Sequence, residues 1–178
     1  MAFIKQPSAS QESESPTTFT SPQDLLDFAK SKTIQTNPLD IVALLENLGI
    51  DVRYEPLENG ISGMLIKNVT TNKWIIYVNS LHHPHRQRFT LAHELAHYCR
   101  HTPIVEEFVD KIFFRGSKFS SMEIEANRFA AELLMPANEF CNQVGISPKV
   151  EDIAKHFQVS SAAVMYRAHE LGFKGKSE

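Results

Sequence analysis

The hydrophobic period of the chain switches twice, and no other feature limits its fold so tightly. Ile41, Leu44, Leu45 and Leu48 recur at helical spacing and are closed off by Gly49. Residues 52–57, 61–66 and 74–78 are short β-rich runs separated by Glu58-Asn59-Gly60 and by residues 68–72. From Pro84 onward the helical period returns, predicting helices over 84–101, 104–112, 121–135, 137–144, 148–157 and 161–171. Helices, a small sheet and more helices, in that order, define an α+β fold, and the short connections suit a three-stranded antiparallel meander.

Two helix starts are expected ahead of the sheet. Ser21, Pro22 and Asp24 read as N-cap, first-turn proline and early acid of a short helix through Leu25, Leu26 and Phe28, and Asn37-Pro38 repeats the signal. Residues 1–20, rich in Ser, Thr, Pro, Gln and Glu, cannot bury enough apolar surface to offset ordering entropy and read as a disordered tail. The expected organisation is thus a tail over 1–20, a core with its N-terminal helices over 21–136, and a C-terminal helical extension over 137–178 packed on that core.

Composition removes several classes of function. With 18 basic against 21 acidic side chains, a net charge of -3 provides no field to draw in nucleic acid or an anionic membrane. The start, Met1-Ala2-Phe3-Ile4-Lys5, turns polar at once, and no apolar run is long enough for a span. Cys99 and Cys141 are isolated and lack CxxC spacing, which suits a reducing cytoplasm.

The chemistry is concentrated in residues 88–99, RFTLAHELAHYC, which contain HExxH. Residues four apart on a helix stand one above the other, so His93 and His97 can aim two imidazoles at one ion, and zinc accepts that geometry. Composition alone gives roughly 0.03 chance occurrences of the pattern. On the helical wheel Phe89, Leu91, Ala92, Leu95, Ala96, Tyr98 and Cys99 share an apolar side, leaving His93, Glu94 and His97 on the opposite arc, toward a cleft.

A catalytic zinc needs a third protein ligand. His101 lies two turns from His93, roughly 12 Å along the axis, too far to share the ion. Arg100 and Pro103 stand where the longer HExxHxxGxxH pattern requires Gly and His, so the ligand must come from another element. In residues 122–134, MEIEANRFAAELL, Glu123 falls within the buried arc and Glu125 and Glu132 fall outside it. A buried carboxylate needs compensation that a divalent cation supplies, which favours Glu123, with Glu125 as the alternative.

Residues 88–97 (RFTLAHELAH) and 123–136 (EIEANRFAAELLMP), with the strand ahead of them, resemble the ImmA/IrrE family of metallopeptidases over roughly residues 35–172. The resemblance implies a minimal zincin in which His93, His97 and Glu123 hold zinc and Glu94 is the general base. It also implies an endopeptidase whose protein substrate is a regulatory protein, a helix-turn-helix transcriptional repressor. Manganese or another divalent ion suits two His and one Glu as well. Tyr98 and His101 are candidates for oxyanion or substrate contacts, and residues 74–79 for the sheet edge that receives an extended substrate.

Other features weigh less. Residues 148–172 look like a helix-turn-helix, but the second helix offers only Arg167 and His169 to bases, with Lys174 and Lys176 after it, so packing on the core is the expected role rather than DNA binding. His82, His83 and His85 flank Pro84 without ligand spacing and read as a loop and helix cap, and Cys99 reads as packing. Two rival readings remain: a non-hydrolytic regulatory module on a zincin scaffold, and a DNA-binding regulator acting through residues 148–172.

Overall fold

Local signals in the sequence explain most element starts. The computed structural model describes residues 19–58, 60–102, 107–111 (backbone only) and 121–173. Helix α1, Pro22–Ser31, opens with a capping box: the Asp24 amide donates to Ser21 Oγ and the Ser21 amide to the Asp24 carboxylate at 2.9 Å. Helix α2, Ile41–Asn47, starts three residues later than Asn37-Pro38 suggests, with Asp40 as its N-cap accepting from the Ala43 amide at 3.0 Å. Asn37 sits in a turn and instead bridges to Glu139 and His156. The expected tail lies outside the described residues except for its last two.

The fold is α+β, as the period predicts, but the sheet is mixed, not an antiparallel meander. Strands β1 (Asp51–Glu55), β2 (Ile61–Lys67), β3 (Trp74–Asn79) and β4 (Glu107–Lys111) lie in the order β1-β3-β2-β4. β2 and β3 form an antiparallel hairpin whose loop is organised by Asn68, its Oδ1 accepting from the amides of Thr70 and Thr71. β1 pairs with β3 in parallel, on the side away from β2. Asn79, buried at the end of β3, donates to the Ile61 carbonyl at 2.9 Å and so fastens the crossing segment between β1 and β2.

The arrangement makes β3 an interior strand, which corrects its expected role as a substrate-binding edge. Ile75 and Ile76 point to opposite faces and both are buried, the pattern of a strand covered on two sides. A second correction concerns the helix expected over 104–112: residues 107–111 are strand β4, antiparallel to β2, and the rest of that span lies outside the described residues. Aromatic and β-branched Phe108 and Val109 suit a strand, and backbone pairing with β2 overrides a helical period too short to be distinctive.

Helix α3, Pro84–His101, is capped by His83, whose Nδ1 accepts from the His85 amide at 3.1 Å, so the histidine cluster does form a cap. It lies between the sheet and helix α4, Ser121–Leu134. Helices α5 (Ala137–Ile146), α6 (Val150–Phe157) and α7 (Ser161–Glu170) follow. One cluster of buried apolar side chains runs from Leu25 in α1 through Leu91 and Leu95 in α3 and Phe129 and Leu133 in α4 to Phe157 in α6 and Val164 in α7. Arg88 staples α3 to the turn before α2 and to the end of α6, donating to the carbonyls of Leu39 and Phe157. Arg88→Ala strands both carbonyls and should cost about 1–3 kcal/mol, read as a lower midpoint in urea unfolding.

Candidate metal centre

The middle of α3, from Thr90 to His97, is buried on every side, including four polar residues, Thr90, His93, Glu94 and His97, that a helix places there only with partners. Helical spacing brings His93 Nε2 and His97 Nε2 to 3.0 Å. Glu123, in the first turn of α4, reaches both: Oε2 is 3.2 Å from His93 Nε2 and Oε1 is 3.3 Å from His97 Nε2. Glu125, the alternative ligand, turns away to Arg100 and His101.

These separations suit a shared cation. A tetrahedral ion with donors at about 2.0–2.1 Å spaces them about 3.3 Å apart. The protonation states agree. Burial lowers the basicity of His93, keeping it neutral against the opposing pull of Glu123. Burial alone would raise the Glu123 carboxyl, but its contacts with the His93 and His97 imidazoles outweigh it and hold the group well below the usual range, so it stays a carboxylate. A lone-pair imidazole beside a carboxylate is a donor set that a divalent cation takes. The Glu123 side chain is 31% exposed, less buried than the helical wheel suggests, so the group opens to solvent along α4.

Glu94 is fully buried against the sheet, in the place where β2 carries Gly63. A Cβ on Gly63 would stand 2.4 Å from Thr90 Cγ2 and 3.0 Å from Glu94 Oε1, so this strand approaches α3 as closely as a backbone can. The missed signal is a lone glycine inside a strand pattern. Asn127 was also missed: its Oδ1 lies 3.0 Å from His93 Nδ1, one helical turn after Glu123.

His101 is buried beside the pair, its Nδ1 3.0 Å from His97 Nδ1 and its Nε2 3.4 Å from Glu125 Oε2. It therefore faces the rear of His97. Arg100 Nε donates to Glu125 Oε1 at 2.6 Å. Tyr98 is packed edge-on to Trp74 at 6.0 Å. Burial pushes the Cys99 thiol up to about 12, which fits packing rather than nucleophilic chemistry. Arg167, one of two residues in α7 that might have read bases, is buried and donates to the Met135 carbonyl at 3.0 Å.

A family model described as Peptidase_M78: IrrE N-terminal-like domain matches residues 45–169, and the chain belongs to that family of metallopeptidases. No curated protein matches it. Seven solved chains match, among them a Mycobacterium tuberculosis transcriptional regulator at 18% identity with a TM-score of 0.57, covering 85% of this chain and 46% of that one. At that identity the likeness shows the fold. No helix among the described residues is long and apolar enough to cross a membrane.

Gly63→Ala forces the Thr90 and Glu94 side chains away from β2. The expected cost is about 1–3 kcal/mol, read from the denaturant midpoint.

Proposed function

We propose that the chain is a zinc-dependent endopeptidase in which His93, His97 and Glu123 hold the ion and Glu94 is the general base. The observation that carries this reading is the convergence of three donor atoms, all within 4.8 Å of one another, from two helices. The chemistry a divalent cation supplies there is Lewis acidity toward a peptide carbonyl and toward water. Glu94, one position after the first histidine and buried, takes the proton of the attacking water at its carboxylate and returns it to the leaving amide nitrogen. A purely binding module has no use for that carboxylate, which favours hydrolysis over the non-hydrolytic reading.

The protein substrate we propose is a regulatory protein, a helix-turn-helix transcriptional repressor, cut in an extended segment. The family's character and a structural neighbour named as a transcriptional regulator support this choice. Strand β4, beside the Gly63-bearing β2, replaces β3 as the edge on which such a segment would align; among the described residues no strand lies on its outer side. Residues 21–136 would carry the hydrolytic core, with 137–178 as its packed extension. Free cysteines at 99 and 141 fit action in a reducing cytoplasm.

Incubation with helix-turn-helix repressors, with and without chelator, tests the activity. Glu94→Gln should keep its zinc and lose about 10²–10⁴-fold in turnover. An active Glu94→Gln protein would sink the general-base role. Glu123→Ala should lower zinc content, measured by atomic emission, more than Glu125→Ala; the reverse order would reassign the third ligand.

A further inference from the structure

The rear nitrogens of the two histidines carry an arrangement that the hydrolytic reading does not use. His93 Nδ1 meets Asn127 Oδ1 at 3.0 Å. His97 Nδ1 meets His101 Nδ1 at 3.0 Å, His101 Nε2 meets Glu125 Oε2 at 3.4 Å, and Glu125 Oε1 accepts from Arg100 Nε at 2.6 Å. We propose that Asn127 and the His101–Glu125–Arg100 chain are positioning groups that fix the tautomers of His93 and His97, so that both present an Nε2 lone pair to the cation. The inference rests on the metal site of the proposed function and extends it to four residues outside the ligand set.

Proton counting gives the direction of each bond. Glu125, paired with Arg100, is a carboxylate and only accepts, so His101 must place its proton on Nε2. A neutral imidazole protonated at Nε2 has only a lone pair at Nδ1. His97 Nδ1 then carries the proton of their contact, which puts the lone pair of His97 on Nε2, the atom that faces His93 Nε2 and Glu123. Asn127 Oδ1, also an acceptor, does the same for His93 by requiring the proton on Nδ1. A partly exposed ion pair on the outer side of α3 and α4 thus sets the state of a buried ligand two contacts away. Three histidines at successive helical turns divide the work, with His93 and His97 facing the ion and His101 behind them.

Such outer partners typically change metal affinity by about 10–100-fold. The test is zinc affinity of the full chain, by competition with a chromophoric chelator, alongside melting of the metal-free protein. Asn127→Ala and His101→Leu should each weaken zinc binding about tenfold or more. Asn127→Asp and His101→Asn, which keep an acceptor atom in place, should recover most of it. Nitrogen-15 spectra of the imidazoles should show His93 and His97 protonated at Nδ1 in the parent and His97 as mixed tautomers in His101→Leu. Should His101→Leu fail to fold, Glu125→Ala, at a partly exposed position, should still weaken zinc binding several-fold.

Unchanged affinity in the deletion variants, or rescue variants as weak as the deletions, overturns the proposal. A parent chain that binds no zinc overturns both this inference and the metal site beneath it. Zinc binding in the expected order without cleavage of any repressor leaves the positioning chain standing and removes only the hydrolytic reading.

Discussion

The crossing of α3 and α4 is the contact on which the rest of the molecule depends. Each helix presents polar residues at four-residue spacing to the other: His93 and His97 from α3, Glu123 and Asn127 from α4. Burying imidazoles and a carboxylate in an apolar helix pair is costly unless each finds a partner. Here the two polar rows meet in register, and the residues around them, Leu91, Ala92, Leu95 and Ala96 on one helix and Ala126, Phe129 and Ala130 on the other, are apolar and buried. Small alanines let the axes come close while the polar rows set rotation and register.

The sheet supplies the opposite wall. Gly63 brings β2 against Thr90 and Glu94, so the acid between the two histidines lies against backbone rather than in bulk water. β2 is held there by pairing with β3 and β4, its ladder to β4 shifting register between Ile61 and Gly63, and by Arg86 donating to buried Ser62 beside Gly63 at 2.9 Å. Glu94 is thereby packed between α3 and β2, which fits the general-base role proposed for it.

The C-terminal helices act as a buttress. Phe140 and Phe157 stack at 6.2 Å, Arg167 donates to the carbonyl after α4, and Arg128 pairs with Glu170 at 2.7 Å. The two arginine contacts seat α7 on α4. They also occupy the arginine that a DNA reader would have to expose.

What the sequence by itself determined is whatever depends on neighbours along the chain: the N-cap at Ser21, the α3 boundaries, and the stacking of His93 over His97. Local spacing fixes these because helix geometry is the same in every context. What only the tertiary structure decided depends on pieces far apart in the chain. The parallel seat of β1, the interior place of β3 and the strand at 107–111 follow from backbone pairing that side-chain pattern does not encode. The roles of Gly63, Asn127 and His101 follow from which helix or strand passes behind them. A hydrogen bond across 34 residues, like that from His93 to Asn127, leaves no period in the sequence to read; it exists because two helices cross at one point.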